Sequence, residues 1–190
     1  DGLISTMTGK VNDQVLQSIY LFDKNNPMIT STLKDIVDWP PGSFATDGTG
    51  ERDNYEMKEI NTVVNAFHCY GLVLLGKIAK VLNQTEDAKL FEKQSEKVKS
   101  TINNKLFDKK LGLYKDGEGT DHISLHGNMI PLAFDLVPPA CKKGISEYLQ
   151  TRGMVCSVYG AQYLLEALYQ NGGADYALKL MTDQGSRGWY

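Results

Sequence analysis

The stretch VVNAFHCYGLVLL at residues 63–75 decides how this chain folds. It lies within a segment from Met57 to Leu82 in which Lys77 and Lys80 are the only charges after Glu59. Apolar residues occur nearly all round the corresponding helix, a pattern that predicts burial on most sides. The segment from Thr85 to about Leu106 is amphipathic instead, so we expect a helix with one wet face, capped by Thr85.

The alternation between an apolar and a more polar helix repeats along the chain. The apolar segments Ser124–Leu136 and Val158–Tyr169 are followed by the shorter, more polar segments Lys142–Arg152 and Ala174–Met181. A solenoid would repeat at a fixed period, which this chain does not. We therefore predict an all-α fold of three helical hairpins that supply about half of an α/α toroid of the (α/α)6-barrel type, with a small strand hairpin near residues 112–117.

The composition of the chain bears on which partners it can bind. The 190 residues are 42% hydrophobic and 23% charged, with a net charge of −3, and no basic stripe is available for a nucleic-acid partner. No apolar run approaches the roughly 20 residues that span a membrane, so no membrane partner is expected. The three cysteines are predicted to be free thiols, and Cys69 and Cys156 to be buried. Nothing in the sequence indicates a compartment.

The interval from Asp35 to Asn65 combines carboxylates, aromatic rings and a guanidinium on irregular backbone. Such groups hold polyhydroxylated ligands, because a ring stacks on a sugar face while charged atoms bind its hydroxyls. In a toroid, the loops that precede the inner helices gather at one rim, where they build the mouth of a pocket. The alternative is that the carboxylates only stabilise the loop by hydrogen bonds or by a salt bridge to Arg52. The candidate residues are Asp38, Trp39, Arg52, Asp53 and Tyr55.

Histidines and one further carboxylate are weaker candidates. His122 and His126 stand four apart, as on one helical face, but the Glu of a zinc-protease motif is absent, and no metal site is predicted. His126 opens an apolar helix at the predicted rim, where it could bind a substrate, cap the helix or be satisfied in the core. Glu166 could face the pocket or pair locally. No nucleotide-binding loop or serine-hydrolase elbow occurs.

The chain resembles the catalytic domain of bacterial α-L-rhamnosidases of glycoside hydrolase family 78. The most specific part of the resemblance combines VDWPPG (37–42), ERDNY (51–55) and NTVVNAF (61–67). Further matches follow in order along the chain: GLYKDG (112–117), SLHGN (124–128), LVP (136–138), GGADYAL (172–178) and GWY (188–190). Asn54 stands where the family is expected to have Gly, so the geometry of the turn at Asn54 could differ from that of the family.

The resemblance implies an inverting glycosidase that removes terminal α-L-rhamnose from rhamnosides or polysaccharides without a cofactor. It implies that residues 1–190 are a partial catalytic domain, incomplete at both ends, and that the Glu general acid and Glu general base both lie outside it. Only substrate-binding positions carry over to this sequence: Asp38, Trp39, Arg52, Asp53, Tyr55, His126 and Trp189. A half-toroid would also expose apolar inner helices, through which the chain could self-associate.

The rival interpretations are another α/α-toroid glycosidase or a polysaccharide lyase, and a non-catalytic helical scaffold or carbohydrate-binding module. If both catalytic carboxylates lie outside residues 1–190, the purified chain releases no rhamnose from an aryl rhamnoside. Release of the aryl group above the rate in buffer would contradict this expectation.

Overall fold

The computed structural model describes residues 2–10, 32–38, 52–185 and 187–188. Over these ranges the chain is all-α apart from two short antiparallel strand pairs, which confirms the predicted fold class. The helices are α1 (Thr62–Val81), α2 (Thr85–Lys105), α3 (Leu125–Ala133), α4 (Lys142–Arg152), α5 (Val158–Gln170) and α6 (Ala174–Met181). The strand pairs are β1 (Met7–Lys10) with β2 (Thr32–Lys34), and β3 (Phe107–Asp108) with β4 (Leu113–Tyr114).

The six helices form three hairpins in two layers. Helix α3 packs against both α1 and α5, so these three apolar helices form one layer. Each of the more polar helices α2, α4 and α6 packs on the helix that precedes it and covers its back. We call α1, α3 and α5 the inner helices and the other three the outer helices. The alternation of apolar and amphipathic segments therefore predicted the hairpins correctly.

The inner helices share a way of starting that the outer helices lack. Asn61, Ser124 and Ser157 stand at the N-caps of α1, α3 and α5, and each side chain accepts a hydrogen bond from a backbone N–H of the first turn. The outer helices have no side-chain cap. The N-caps of the inner helices are buried, so the first N–H groups of these helices cannot bind water and need partners within the protein.

The inner helices also share a way of ending. Each terminates at a residue in the left-handed region: Asn83 (φ 59°), Asp135 (φ 58°) and Gly172 (φ 80°). The next amide then donates back five residues, from Gln84 to Ala79, from Leu136 to Pro131 and from Gly173 to Leu168. This is the Schellman arrangement, which satisfies the last carbonyl groups and turns the chain towards the outer helix.

Several predicted boundaries are corrected by the structure. Helix α1 begins at Thr62 rather than Met57, because Asn61 caps it and the residues before Asn61 form a loop in which Glu56 donates its amide to Asp116. Thr85 is the first residue of α2, and the N-cap is Gln84, so Thr85 does not cap that helix. The predicted strand hairpin at residues 112–117 is corrected, because the observed hairpin pairs residues 107–108 with 113–114 and only its second strand falls in that segment. The predicted helical face at residues 11–21 lies outside the described residues.

A close approach between two loops brings the start of α1 against the strand hairpin. Asn61 pairs with Gly117 in an isolated bridge, and Thr62 donates its amide to the carbonyl oxygen of Asp116 at 2.9 Å. A Cβ on Gly117 would lie 2.5 Å from the carbonyl oxygen of Ile60, so only glycine fits at this position. The loop before α1 and the loop before α3 are thereby joined.

The core lies between the two helix layers. Its largest fully buried side chains come from all three hairpins and include Ile102, Leu132, Leu149 and Leu164. None of the three cysteines, all of them in the described part of the chain, forms a disulfide; Cys69 and Cys156 are buried, as predicted, and Cys141 is half-buried. Burial raises the pKa of the Cys69 thiol to about 11, so Cys69 behaves as a small apolar core residue.

One face of α1 is apolar and exposed. Phe67, Leu74, Leu75 and Ile78 are between 39% and 54% exposed and fall on a single side of the helix. Helix α1 is also 20 residues long and, by length and composition alone, apolar enough to cross a membrane. This finding corrects the expectation that no segment of the chain is long and apolar enough to do so. Core helices of water-soluble proteins meet the same criterion, and 44% of the apolar window is buried here.

The exposed face of α1 makes self-association of the 190-residue chain an expected outcome, because water-exposed apolar surface of this extent favours contact. The double variant L75K/I78E should shift the apparent mass measured by light scattering towards the 21.1 kDa of one chain. Leu111→Lys is the matched control, because Leu111 is 58% exposed but lies on the strand hairpin. A wild-type chain that stays monomeric over a wide concentration range would contradict the expectation.

Candidate functional site

Asp38 is a buried carboxylate at the meeting point of α3 and α5. Its Oδ2 lies 2.7 Å from Nε2 of His126 and accepts the amide N–H of Ser157 at 2.9 Å. Its Oδ1 accepts the hydroxyl of Ser157, the residue that caps α5. The side chains of Asp38 and His126 are each only 1% exposed. Asp38 thus joins the starts of two inner helices, which begin at Leu125 and at Val158.

Asp38 is ionised at neutral pH. Burial alone would raise its pKa, but the hydrogen bonds from His126 and Ser157 outweigh burial and hold the pKa below its usual value. With Nε2 of His126 facing this carboxylate, Nδ1 is buried without a hydrogen-bond partner among the described residues. Both ring nitrogens of His126 are therefore buried, and the hydrogen-bond partner of its ring in the described structure is Asp38.

Asp53 holds the other side of the α3 start. Its Oδ2 accepts the amide N–H of Leu125, the first residue of α3, at 2.6 Å. The guanidinium of Arg152 donates two hydrogen bonds to the same carboxylate, from Nε to Oδ2 at 3.1 Å and from Nη2 to Oδ1. A negative charge at this position is also favoured by the positive end of the helix. The two predicted carboxylates thus bind consecutive residues, Asp53 at Leu125 and Asp38 at His126.

The turn that carries Asp53 is left-handed at two successive residues. Asp53 and Asn54 have φ values of 48° and 56°. Asn tolerates this conformation better than most residues, so it fits a position where glycine was expected. The departure of Asn54 from the expected pattern therefore does not disturb the turn.

A third buried carboxylate, Asp116, was not predicted as a site residue. Its Oδ1 accepts the hydroxyl of Ser124, the cap of α3, at 2.6 Å, and its Oδ2 accepts the amide of Glu56 at 2.8 Å. Oδ2 also lies 2.6 Å from Nδ1 of His122. The hydroxyl of Tyr55 lies 2.8 Å from the backbone carbonyl oxygen of Asp116, and burial raises the pKa of this tyrosine above its usual value.

A cavity of about 360 Å³ opens beside Asp38. Its described lining comes from residues 36–38 and from all three inner helices: Ile36, Val37, Asp38, Phe67, Met129, Ile130, Tyr159, Gly160 and Tyr163. Asp38 is the only charged residue in this described lining. Gly160 is required there, because a Cβ would lie 2.6 Å from Oδ2 of Asp38. We call this space the Asp38 cavity.

The other candidates fall in different places. Arg52 is half-buried, and the partner of Asp53 is Arg152, so the predicted alternative of a salt bridge to Arg52 is wrong. Trp39 and Trp189 lie outside the described residues. His122 precedes α3 and does not share a helical face with His126. Glu166 is exposed, binds Gln170 at 2.9 Å and lines a separate cleft towards the end of α5.

Residues 16–190 match the sequence model of the bacterial alpha-L-rhamnosidase 6 hairpin glycosidase domain. The chain belongs to this family. The match covers more than nine-tenths of the chain, and the three helical hairpins of the structure agree with the hairpin architecture that the family description names. No curated protein matches the chain.

Several residues that build the site of this rhamnosidase-family domain were not predicted from its sequence. Ser157 could have been found, because a serine directly before an apolar helical pattern is an N-cap signal. Arg152 could not, because it meets Asp53 across 99 residues of chain. Within the described part of the domain, no three His, Cys, Asp or Glu side chains are grouped as metal ligands.

Removing the charge of Asp38 should destabilise the domain in a pH-dependent way. Because the pKa of Asp38 is lowered in the folded state, its stabilisation is present above the unfolded value of about 4 and is lost as pH falls through the folded value. Asp38→Asn should lower the free energy of unfolding by about 1–3 kcal/mol at pH 7, since one buried donor loses its acceptor.

Urea unfolding followed by circular dichroism from pH 3 to pH 7 measures this difference, which should shrink below about pH 4. Asp121→Asn is the control, because the Asp121 side chain is 96% exposed. An Asp38→Asn penalty that is independent of pH, or no larger than that of Asp121→Asn, would show that Asp38 is not a stabilising carboxylate.

Proposed function

We propose that this domain belongs to an α-L-rhamnosidase that removes terminal α-L-rhamnose from rhamnosides or polysaccharides with inversion. The family supports a glycoside hydrolase. The observation that carries the finer proposal is the Asp38 cavity, in which one ionised carboxylate faces a mostly apolar wall with aromatic rings.

The composition of the cavity wall suits a 6-deoxy sugar. Rhamnose has a methyl group where most hexoses have a hydroxymethyl group, so part of its surface gains from apolar contact. Met129, Ile130 and the half-buried Tyr163 supply such contact, and Phe67 lies edge-on to Tyr163 with ring centroids 5.3 Å apart. Because both oxygens of Asp38 are bound by His126 and Ser157, Asp38 acts on the hydroxyl side of the sugar through its negative charge rather than by a direct hydrogen bond. A volume of about 360 Å³ is in the range of small-ligand pockets.

Inverting hydrolysis needs two carboxyl groups on opposite sides of the bond that breaks. The general acid protonates the glycosidic oxygen while the general base takes a proton from the attacking water, and no cofactor takes part. Asp38 and Asp53 do not act as this pair in our proposal, because both are tied into the start of α3. They position the sugar and the loop, and the resemblance assigns the acid and base to two Glu residues outside residues 1–190.

The inner helices would then form part of the wall of an α/α toroid, with the Asp38 cavity at its rim. The loops before α1, α3 and α5 meet at one end of the inner layer, where Asp38, Asp53 and Asp116 join them. Of the predicted substrate contacts, Asp38 lines the cavity. Tyr55, Asp53 and His126 support its surroundings, and contacts by Arg52, Trp39 and Trp189 stay predictions.

Hydrolysis of aryl glycosides by the protein encoded by the complete reading frame tests this function. We expect release from an aryl α-L-rhamnoside and a kcat/KM about tenfold to a hundredfold lower for the α-L-mannoside, which differs only by a hydroxyl on the methyl carbon. Phe67→Ala should lower kcat/KM for the rhamnoside about tenfold, because it removes part of the apolar wall.

Leu75→Ala is the matched control, since Leu75 lies on the same face of α1 and is 44% exposed but does not line the Asp38 cavity. Hydrolysis of another aryl glycoside in preference to the rhamnoside would support a different toroid glycosidase. Release of an unsaturated uronate would indicate a lyase, and binding of rhamnosides without hydrolysis would indicate a non-catalytic module. Each of these three results would overturn the proposal.

A further inference from the structure

A second cavity lies beside the Asp38 cavity and has the opposite charge. It measures about 420 Å³ and is lined by the end of α4, the loop from Gly153 to Val155, the outer helix α6 and the segment after it. Arg152, Lys179 and Arg187 line it together with one carboxylate, Asp183, and it has an apolar floor that includes Met154 and Leu180. We call this space the cationic cleft.

The loop at residues 153–157 connects the lining of the cationic cleft to Asp38. Val155 lines the cleft, and Ser157, only two residues later, binds Asp38 through both its amide and its hydroxyl. Two residues of chain span at most roughly 7 Å, so Val155 in the lining of the cleft lies close to the residue that binds Asp38. Met154 and Cys156 are buried, so this loop is packed against the core. Arg152 adds a second link, because it lines the cleft and also grips Asp53.

The charges of the cleft are not all consumed within the domain. Arg152 forms an ion pair with Asp53, and Arg187 also interacts with another group. The Lys179 ammonium is exposed and makes no ion pair with any residue in the described part of the chain. Tyr176 places an aromatic ring in the same lining. Cations beside a tyrosine ring and an apolar floor suit a sugar that carries a negative charge.

We propose that the cationic cleft is a second sugar subsite, which binds an anionic residue, a uronate or a sulfate ester, linked to the rhamnose in the Asp38 cavity. The proposal rests on the proposed function and adds the class of substrate. The natural substrate is then an acidic rhamnose-containing saccharide rather than a neutral one. The cleft binds the residue that stays after rhamnose leaves, so it has no part in breaking the bond.

The test compares three disaccharides with the protein encoded by the complete reading frame. Rhamnose is linked to glucuronate, to glucose 6-sulfate or to glucose, and kcat/KM is measured in low salt and in 0.5 M salt, roughly the range over which exposed charge pairs become screened. We expect the acidic substrates to be preferred over the neutral one by roughly three- to tenfold in low salt, and less in high salt. The stronger of the two acidic substrates identifies the anionic group.

Lys179→Met should remove most of this preference, and Arg187→Gln should reduce it. Lys93→Met is the matched control, because Lys93 is an exposed lysine on α2 that does not line the cleft. Equal kcat/KM for acidic and neutral substrates in the wild-type protein, or a preference that survives Lys179→Met, would overturn the proposal.

Failure of the proposed function gives a different result from failure of the anionic subsite. If the protein is not a rhamnosidase, it hydrolyses none of the three disaccharides, and binding alone then tests the cleft. Glucuronate and glucose sulfate titrated into the ¹⁵N-labelled chain should shift the amide signals of Val155, Tyr176 and Lys179 in a saturable manner. Shifts that are absent, or that glucose produces equally, would overturn the anionic subsite whatever the reaction.

Discussion

The starts of the inner helices must be satisfied without water, and the rest of the structure depends on this constraint. A helix leaves its first N–H groups without intrahelical partners, and each one that is buried costs free energy unless a side chain binds it. Asn61, Ser124 and Ser157 supply the caps, and buried groups fix two of these caps in turn: Asp116 binds Ser124 and Asp38 binds Ser157. The outer helices have no such caps.

The same constraint creates the candidate site. Because Asp38 must reach the caps of α5 and the ring of His126, an ionised carboxylate is placed at the edge of an otherwise apolar cavity. Gly160 makes this approach possible, since any side chain there would collide with the carboxylate. Stability and the ligand binding that we propose thus depend on one set of atoms. An apolar wall with a single fixed charge is a surface that can distinguish the methyl side of a deoxy sugar from its hydroxyl side.

The helical hairpins could be predicted from the sequence, because burial of one whole helix and half of the next leaves a clear pattern of apolar residues. The segment Ala174–Met181 was predicted to the residue, whereas α1 began five residues later than predicted, at Thr62, since Met57 and Ile60 are apolar residues of a loop. The site was harder. The sequence singled out Asp38 and Asp53 by residue type, but their partners Ser157 and Arg152 lie 119 and 99 residues further along the chain. The role of Asp116 was hidden, because its neighbours Gly112–Gly117 were expected only to turn the chain.

The central claim is that rhamnose binds in the Asp38 cavity between the three inner helices. Its most direct test is a titration of L-rhamnose into the ¹⁵N-labelled chain, followed by amide chemical shifts. We expect saturable shifts that centre on Ile130, Tyr159 and Gly160, with L-mannose producing weaker ones. Shifts that centre instead on the cleft of Lys77 and Glu166 at the other end of the inner layer, or no saturable shift at all, would contradict it.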